Sequence, residues 1–161
     1  MTALTDVEDL LQVHITRVFD ATPEEIFAAF TEPEQLVQWW GPAGFFSDKV
    51  EADPTAGGAF SVNMRAEDGS YEGVMSGRFI EIAAPTRLVL EITKHCNGAA
   101  HLFDATKMPP TTITVELRAL ADGRTELTLT QTGFTDPVAA DAHRGGWSGS
   151  LEKLSTSVET N

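Results

Sequence analysis

The 161-residue chain has a single cysteine, Cys96, and a single tyrosine, Tyr71. One cysteine cannot close an intrachain disulfide, so no disulfide framework holds this fold together. Long hydrophobic runs are also missing. Uninterrupted apolar stretches extend for only a few residues, against the roughly 20 needed to span a bilayer as a helix. The opening residues MTALTDVEDL carry neither the basic region nor the apolar run of a signal peptide, and a cytoplasmic location is expected. Positive charge is scarce: 11 Lys and Arg stand against 24 Asp and Glu, a formal net charge of −13. Such a surface repels phosphate backbones and anionic lipid head groups, so neither nucleic acid nor a membrane is an expected partner. No internal repeat, low-complexity tract or linker divides the chain. A single domain over 1–161 follows, with a core from about 10 to 158, large enough to bury roughly two-thirds of the surface of its unfolded chain.

What is present orders itself along the chain. Leu11, Val13 and Ile15 alternate with Gln12, His14 and Thr16, the period of a half-buried strand over Leu10–Phe19. Thr22-Pro23-Glu24-Glu25 then combines a capping Thr, Pro at the first helical position and a Glu three residues after the Thr, the signature of a helix start. A second start at Thr31-Glu32-Pro33-Glu34 leads to Leu36, Val37, Trp39 and Trp40 before Gly41-Pro42 ends it. From Phe45 to Thr132 the pattern is of strands: Phe46–Ala52, Ala59–Arg65, Tyr71–Ile82, Arg87–Lys94, Thr112–Leu120 and Thr125–Thr132. Turn signals at Gly57-Gly58, Asp68-Gly69, Ala84-Pro85 and Asp122-Gly123 punctuate them. In the strand from Tyr71, Met75 and Phe79 lie in one phase and Val74, Ile80 and Ile82 in the other, which requires a bulge or bend near Gly77 or burial on both faces.

Asp136-Pro137 opens the last segment. Trp147, Leu151, Leu154 and Val158 recur at spacings of 4, 3 and 4 and form one stripe of a helix. Gly145, Gly146 and Gly149 sit inside it, each at a cost of about 0.5–1 kcal/mol relative to Ala, so a break, a kink or close contact with another backbone is expected. Strand, two short helices, six further strands and a long terminal helix make an α+β fold. A curved antiparallel sheet of about seven strands has an apolar face to cover, and the terminal helix is the one element long enough to cover it.

Arg17-Val18-Phe19, Thr22 to Thr31, Pro33-Glu34-Gln35-Leu36 and Trp39-Trp40-Gly41-Pro42 resemble the opening of the activator of heat-shock-protein-90 ATPase homologue family. The resemblance continues through Gly57-Gly58-Ala59-Phe60, Asp68-Gly69, Gly77 to Ile82, Pro85 to Val89, Gly123 to Leu129 and Gly146-Trp147 with Leu151 and Leu154. It implies the helix-grip fold of the START-like (SRPBCC) superfamily, a curved sheet wrapped around a C-terminal helix with a cavity between them. That superfamily includes carriers of lipids and sterols, hormone receptors, polyketide cyclases and co-chaperones, so the resemblance narrows fold further than function. Against the family pattern, the segment from Lys94 to Pro110 is long and polar for a hairpin connection, and with the helix glycines it is the expected gate of the cavity.

In such a fold the expected cavity residues are Trp39, Phe60, Val62, Met64, Tyr71, Met75, Phe79, Trp147 and Leu151. Trp39 and Trp40 cannot face the same way on a helix, so one belongs to the core and the other to the cavity rim or a partner surface, and Trp39 is assigned to the cavity. His95, Cys96, His101 and Asp104 supply metal-ligand types in one loop, but the spacing fits no established motif and no metal site is expected. Gly146-Trp147-Ser148-Gly149-Ser150 lacks the final glycine and the preceding strand of a nucleophile elbow. Ser150-Leu151-Glu152-Lys153 lacks the companion motifs of penicillin-recognising enzymes. Tyr71, Arg65, Arg78, Glu91 and His14 are polar strand residues without a spacing that forces any pair together, so no catalytic residue and no cofactor is expected. The leading expectation is a non-enzymatic domain, monomeric or homodimeric, that binds a small hydrophobic or amphipathic molecule. A co-chaperone-like regulator of a heat-shock-protein-90 ATPase is the alternative, and a polyketide cyclase or dehydratase-type enzyme the second alternative.

Overall fold

The computed structural model describes residues 10–96 and 104–159. Strand β1 (Val13–Phe19) leads into α1 (Pro23–Thr31) and α2 (Pro33–Trp39), followed by β2 (Phe45–Phe46), β3 (Val50–Ala52), β4 (Ala59–Ala66), β5 (Glu72–Ala83) and β6 (Arg87–Lys94). A 3-10 turn at Ala105–Lys107, β7 (Thr111–Ala119), β8 (Thr125–Thr132) and α3 (Pro137–Glu159) complete the chain. The strands form one antiparallel sheet in the order β1-β8-β7-β6-β5-β4-β2, with β3 also on β4. The helix α3 packs on α1, α2 and β1. This is the helix-grip arrangement.

The local signals act as their chemistry requires. The Thr22 Oγ1 accepts the Glu25 N–H at 3.2 Å while the Glu25 carboxylate accepts the Thr22 N–H at 2.8 Å, a reciprocal capping box. At α2 the cap is Glu32, not Thr31, whose hydroxyl instead donates back to the Phe27 carbonyl at 2.9 Å. At α3 the Asp136 carboxylate accepts the Val138 N–H at 2.9 Å. The hairpin turn at Asp122-Gly123 uses Gly123 at φ +90°, a conformation open to glycine at little steric cost.

Two irregularities of the sheet have visible causes; the first departs from the expected strand pattern and the second includes the bulge expected near Gly77. The expected strand Phe46–Ala52 is broken into β2 and β3, giving an 8-stranded sheet. Asn63, buried in β4, breaks it: its Oδ1 accepts the Asp48 and Lys49 N–H groups at 2.9 Å each and the Ser47 hydroxyl at 3.0 Å, bending the neighbouring chain around its own amide. The strand β5 has two irregularities against β6, one between Ser76 and Gly77 and one between Phe79 and Glu81. The first leaves no room for a side chain at Gly77, where a Cβ would lie 1.8 Å from the Glu91 carbonyl oxygen. The second skips Ile80, which is exposed, and returns Ile82 to the core side, so the two phases of this strand are both accommodated.

Candidate functional site

Along α3 the residue sizes change. Toward its C-terminus Leu151, Leu154 and Val158 enter a core shared with Ile26, Phe30 and Leu36 of α1 and α2. One to two turns earlier the same helix presents Ala142, His143, Gly145, Gly146, Trp147 and Ser150 to a cavity of about 390 Å³. Met64 of β4, Met75 of β5, Ile113 of β7 and Gln131 of β8 form its sheet wall, with Cys96 just beyond β6. Trp40 to Ala43 and Phe45, the connection from α2 to β2, form the third wall.

That connection is fastened to α3 by two contacts. A Cβ on Gly149 would lie 3.2 Å from the Ala43 nitrogen and 3.3 Å from the Pro42 Cα, so glycine allows the helix to meet the loop backbone directly. One turn on, the Lys153 ammonium donates to the Phe45 carbonyl at 2.7 Å. Burial holds its pKa below the usual lysine range, with the Glu67 charge opposing. Gly145 and Gly146 serve differently: both line the cavity, and a Cβ on either meets nothing within 4 Å. The helix is neither broken nor kinked into segments at these glycines; it runs from Pro137 to Glu159.

The cavity's polar groups are few and mostly fixed. Trp147 Nε1 can only donate, so the atom 2.9 Å away is the Gln131 carbonyl oxygen, and the Gln131 amide nitrogen then donates to Thr111 Oγ1 at 3.0 Å. The His143 Nδ1 donates to the Ala139 carbonyl at 2.7 Å, because a carbonyl can only accept. Behind it stands His95, with ring centroids 6.5 Å apart, its Nε2 donating to the Pro109 carbonyl at 3.1 Å. Its buried Nδ1 has no hydrogen-bond partner among the described residues. Burial lowers the pKa of both imidazoles; the carbonyl bonds oppose this, and for His143 the neighbouring His95 adds to it.

Of the residues assigned to the cavity from sequence, Met64, Met75 and Trp147 lie on its wall. Trp39 does not. Its Nε1 donates to the Ala29 carbonyl at 2.9 Å and its ring lies 4.8 Å from Phe30, which places it between the first two helices. Trp40, the C-cap of α2, leaves helical geometry at φ −68°, ψ 132° and turns to the cavity, 5.3 Å from the Trp147 ring. Phe60, Val62, Phe79 and Leu151 are packed behind the wall in the core, with Phe60 ring contacts to Trp40 at 5.6 Å and Phe79 at 5.7 Å. Tyr71 is half-buried outside the wall, 6.3 Å from the Phe45 ring.

The polar strand residues stand apart from the cavity wall: Arg65 pairs with Asp48 at 2.8 Å, Arg78 with Glu91 at 3.2 Å, and His14 with the Thr130 hydroxyl at 3.2 Å. Lys153 is turned to the loop carbonyls, and Ser148 donates to the Arg144 carbonyl at 3.1 Å within the helix. Among the described residues no cluster of three His, Cys, Asp or Glu could hold a metal ion. His101 lies outside the described residues, as does much of the expected gate, residues 97–103. Among the described residues no helix is long and apolar enough to cross a membrane.

Sequence reasoning left out Gln131, His143 and Ser150. A signal existed for the first: Leu127, Leu129 and Gln131 share the inward phase of β8, so a polar residue continues an apolar row. For the others, 143, 147 and 150 follow the helical spacing of one face.

Solved structures share this architecture across nearly the whole chain. A crystal structure of a protein from Chromobacterium violaceum is 28% identical and covers 92% of this chain and 96% of its own, with a TM-score of 0.77. One from Silicibacter pomeroyi, titled an AHSA1 protein, is 22% identical over 92% of this chain and 98% of its own, with the same TM-score of 0.77. A solution structure from Arthrobacter aurescens, 24% identical, covers 99% and 92% with a TM-score of 0.75. No curated protein gives a significant match. The family model described as Activator of Hsp90 ATPase homolog 1-like protein matches residues 20–159, from just before α1 through the end of α3. With every wall of the cavity inside that span, the chain belongs to the Activator of Hsp90 ATPase homolog 1-like family.

Proposed function

We propose that this protein is a non-enzymatic, cytoplasmic binding domain that holds one small hydrophobic or amphipathic molecule between the sheet and α3. The observation that carries this reading is the cavity itself. Its volume of about 390 Å³ falls in the range of roughly 300–1,000 Å³ typical of small-molecule sites. Its wall has the expected composition, with two Trp, two Met, Phe45 and Ile113 around a few polar groups. Methionine adapts to irregular shapes, and tryptophan supplies a large rigid surface. Empty space beside the partly buried Gly146 also argues against plain core packing: alanine there would favour the helix and fit without a clash.

Native mass spectrometry of the protein taken from its own cytoplasm, compared with its denatured mass, tests the reading. An added non-covalent mass in the small-molecule range, absent from a Gly146→Leu variant that retains its fold, is the expected result. A ligand-free mass for the native protein, together with no uptake of apolar dyes, overturns it.

A regulator of a chaperone ATPase is the second reading, favoured by the family match alone. It predicts a change in the ATPase rate of the cytoplasmic chaperone at saturating protein, and no change there removes it.

A further inference from the structure

If the cavity is a ligand site, as proposed above, its wall also states which charge that ligand carries. Among the described lining residues there is no Asp, Glu, Lys or Arg. The basic residues nearest along α3 are committed elsewhere: Arg144 donates to the Gln12 carbonyl at 2.7 Å and to Asp141 at 2.9 Å, and Lys153 to the Phe45 carbonyl at 2.7 Å. His143 has its Nδ1 proton engaged by the Ala139 carbonyl at 2.7 Å. A carboxylate or phosphate entering here would give up its hydration with no cation to replace it, and an ammonium would find no carboxylate.

What the wall does offer is neutral hydrogen-bonding capacity. Gln131 is 1% exposed and held by Trp147 on one side and Thr111 on the other, which uses one lone pair of its oxygen and one of its two N–H groups. Ser150 is 6% exposed, lines the same cavity, and its hydroxyl has no partner among the described residues. We infer that the occupant is an uncharged molecule, an apolar ring-bearing body with a single hydroxyl or carbonyl oxygen that meets Gln131 and Ser150. The body packs against Trp40, Trp147 and the two methionines. The oxygen takes the remaining Gln131 N–H and exchanges a hydrogen bond with the Ser150 hydroxyl.

The test uses two dyes with one frame. N-phenyl-1-naphthylamine is neutral, and 8-anilinonaphthalene-1-sulfonate adds a sulfonate to the same rings. Titration of the full-length protein with each should show the neutral dye binding at least about tenfold more tightly, since burial of an unpaired charge is strongly disfavoured. As competitors, 4-phenylphenol should displace the neutral dye and 4-phenylbenzoate should not at tenfold higher concentration. Ser150→Ala, checked for folding by circular dichroism, should weaken the phenol several-fold and leave the neutral dye unchanged.

Gly146→Leu, with Ala142→Phe as a second filler should the first fail to fold, locates the binding. Loss of the neutral dye in either folded filler supports the cavity as the site. Binding of the sulfonate at equal or greater strength, also lost in the filler, overturns the neutral-ligand inference while leaving the ligand-site reading intact. An unchanged phenol affinity in Ser150→Ala overturns the oxygen contact. Failure of the wild-type protein to bind any of the four probes, or binding that survives both fillers, overturns the ligand-site reading and this inference with it.

Discussion

The two halves of α3 meet the same sheet with opposite results. The C-terminal half is solid: Leu151, Leu154 and Val158 are packed into the core with the side chains of α1 and α2. The stretch before it is hollow: Ala142, Gly145, Gly146 and Ser150 present little side-chain volume to the cavity, while Trp147 reaches Gln131 of the sheet. Helix geometry is continuous across both, so the difference resides in side-chain volume alone. A cavity in this fold needs no special backbone; it needs small residues at one stretch of the gripped helix and a fastened loop to wall off the side.

Substitutions that shorten a side chain should separate the halves most strongly. Leu154→Ala in the solid half leaves a void among buried neighbours and should cost about 2–5 kcal/mol. Met64→Ala in the hollow half removes a side chain that already faces empty space, and should cost under about 2 kcal/mol. Urea unfolding of both variants checks this. Equal losses would mean that the hollow half is as tightly packed as the solid one.

Near the boundary between the halves stands Gly149, where the helix touches Pro42 and Ala43. Gly149→Val places branched carbon against backbone 3.2–3.3 Å from the Cβ position and should destabilise by about 1–3 kcal/mol through overpacking. It should also shift the emission of Trp40, whose position depends on that loop. An unchanged stability would show that the loop moves freely and does not serve as a wall.

How much of this was readable before the structure varies with the range of the forces involved. The capping box at Thr22, the Asp122-Gly123 hairpin and the alternation of β7 and β8 are decided within a few residues, and they appear where the sequence places them, whereas the second cap moves from Thr31 to Glu32. The break between β2 and β3 depends on Asn63, some fifteen residues away, whose amide oxygen accepts from three groups of the connection between them. Nothing in the Phe46–Ala52 segment itself records that. The cavity residues divide in the same way. Met64, Met75 and Trp147 follow from strand and helix phase, but phase cannot tell wall from the layer behind it, and it groups Phe60, Val62, Phe79 and Leu151 with them. For Trp39 and Trp40 the decision rests on one long-range hydrogen bond, from the Trp39 indole to the Ala29 carbonyl. The helix glycines were visible as a cost; that two of them hold space open and one holds a loop needs the third dimension.

Acid should distinguish the hollow half next. His95 and His143 stand at its edge with pKa values lowered from 6.5 by burial, so the unfolded chain takes up their protons before the native protein does. The stability they support is complete above pH 6.5 and falls as the pH drops below it toward their folded values, by at most about 1.4 kcal/mol per pH unit for each histidine. The aspartates with lowered pKa, such as Asp48 and Asp122, start from 3.8 and act in a lower window. Unfolding free energies measured between pH 7.5 and 5 should therefore slope downward with acid, and His143→Gln should reduce the slope. A flat profile in the wild-type protein would show that neither imidazole is shielded.

The smallest expected effect is also the most discriminating, because its sign is opposite to the others. Gly145→Ala and Gly146→Ala add a methyl group where nothing lies within 4 Å and relieve the helix of its most flexible residues. Each should stabilise the protein by roughly 0.5–1 kcal/mol while narrowing the cavity by one methyl group. A gain in stability accompanied by weaker uptake of the neutral dye would mean that these glycines trade helix stability for space. A loss of stability would mean that the backbone there needs glycine for a conformation of its own, and the contrast between the halves of α3 would then reside in the backbone rather than in side-chain volume.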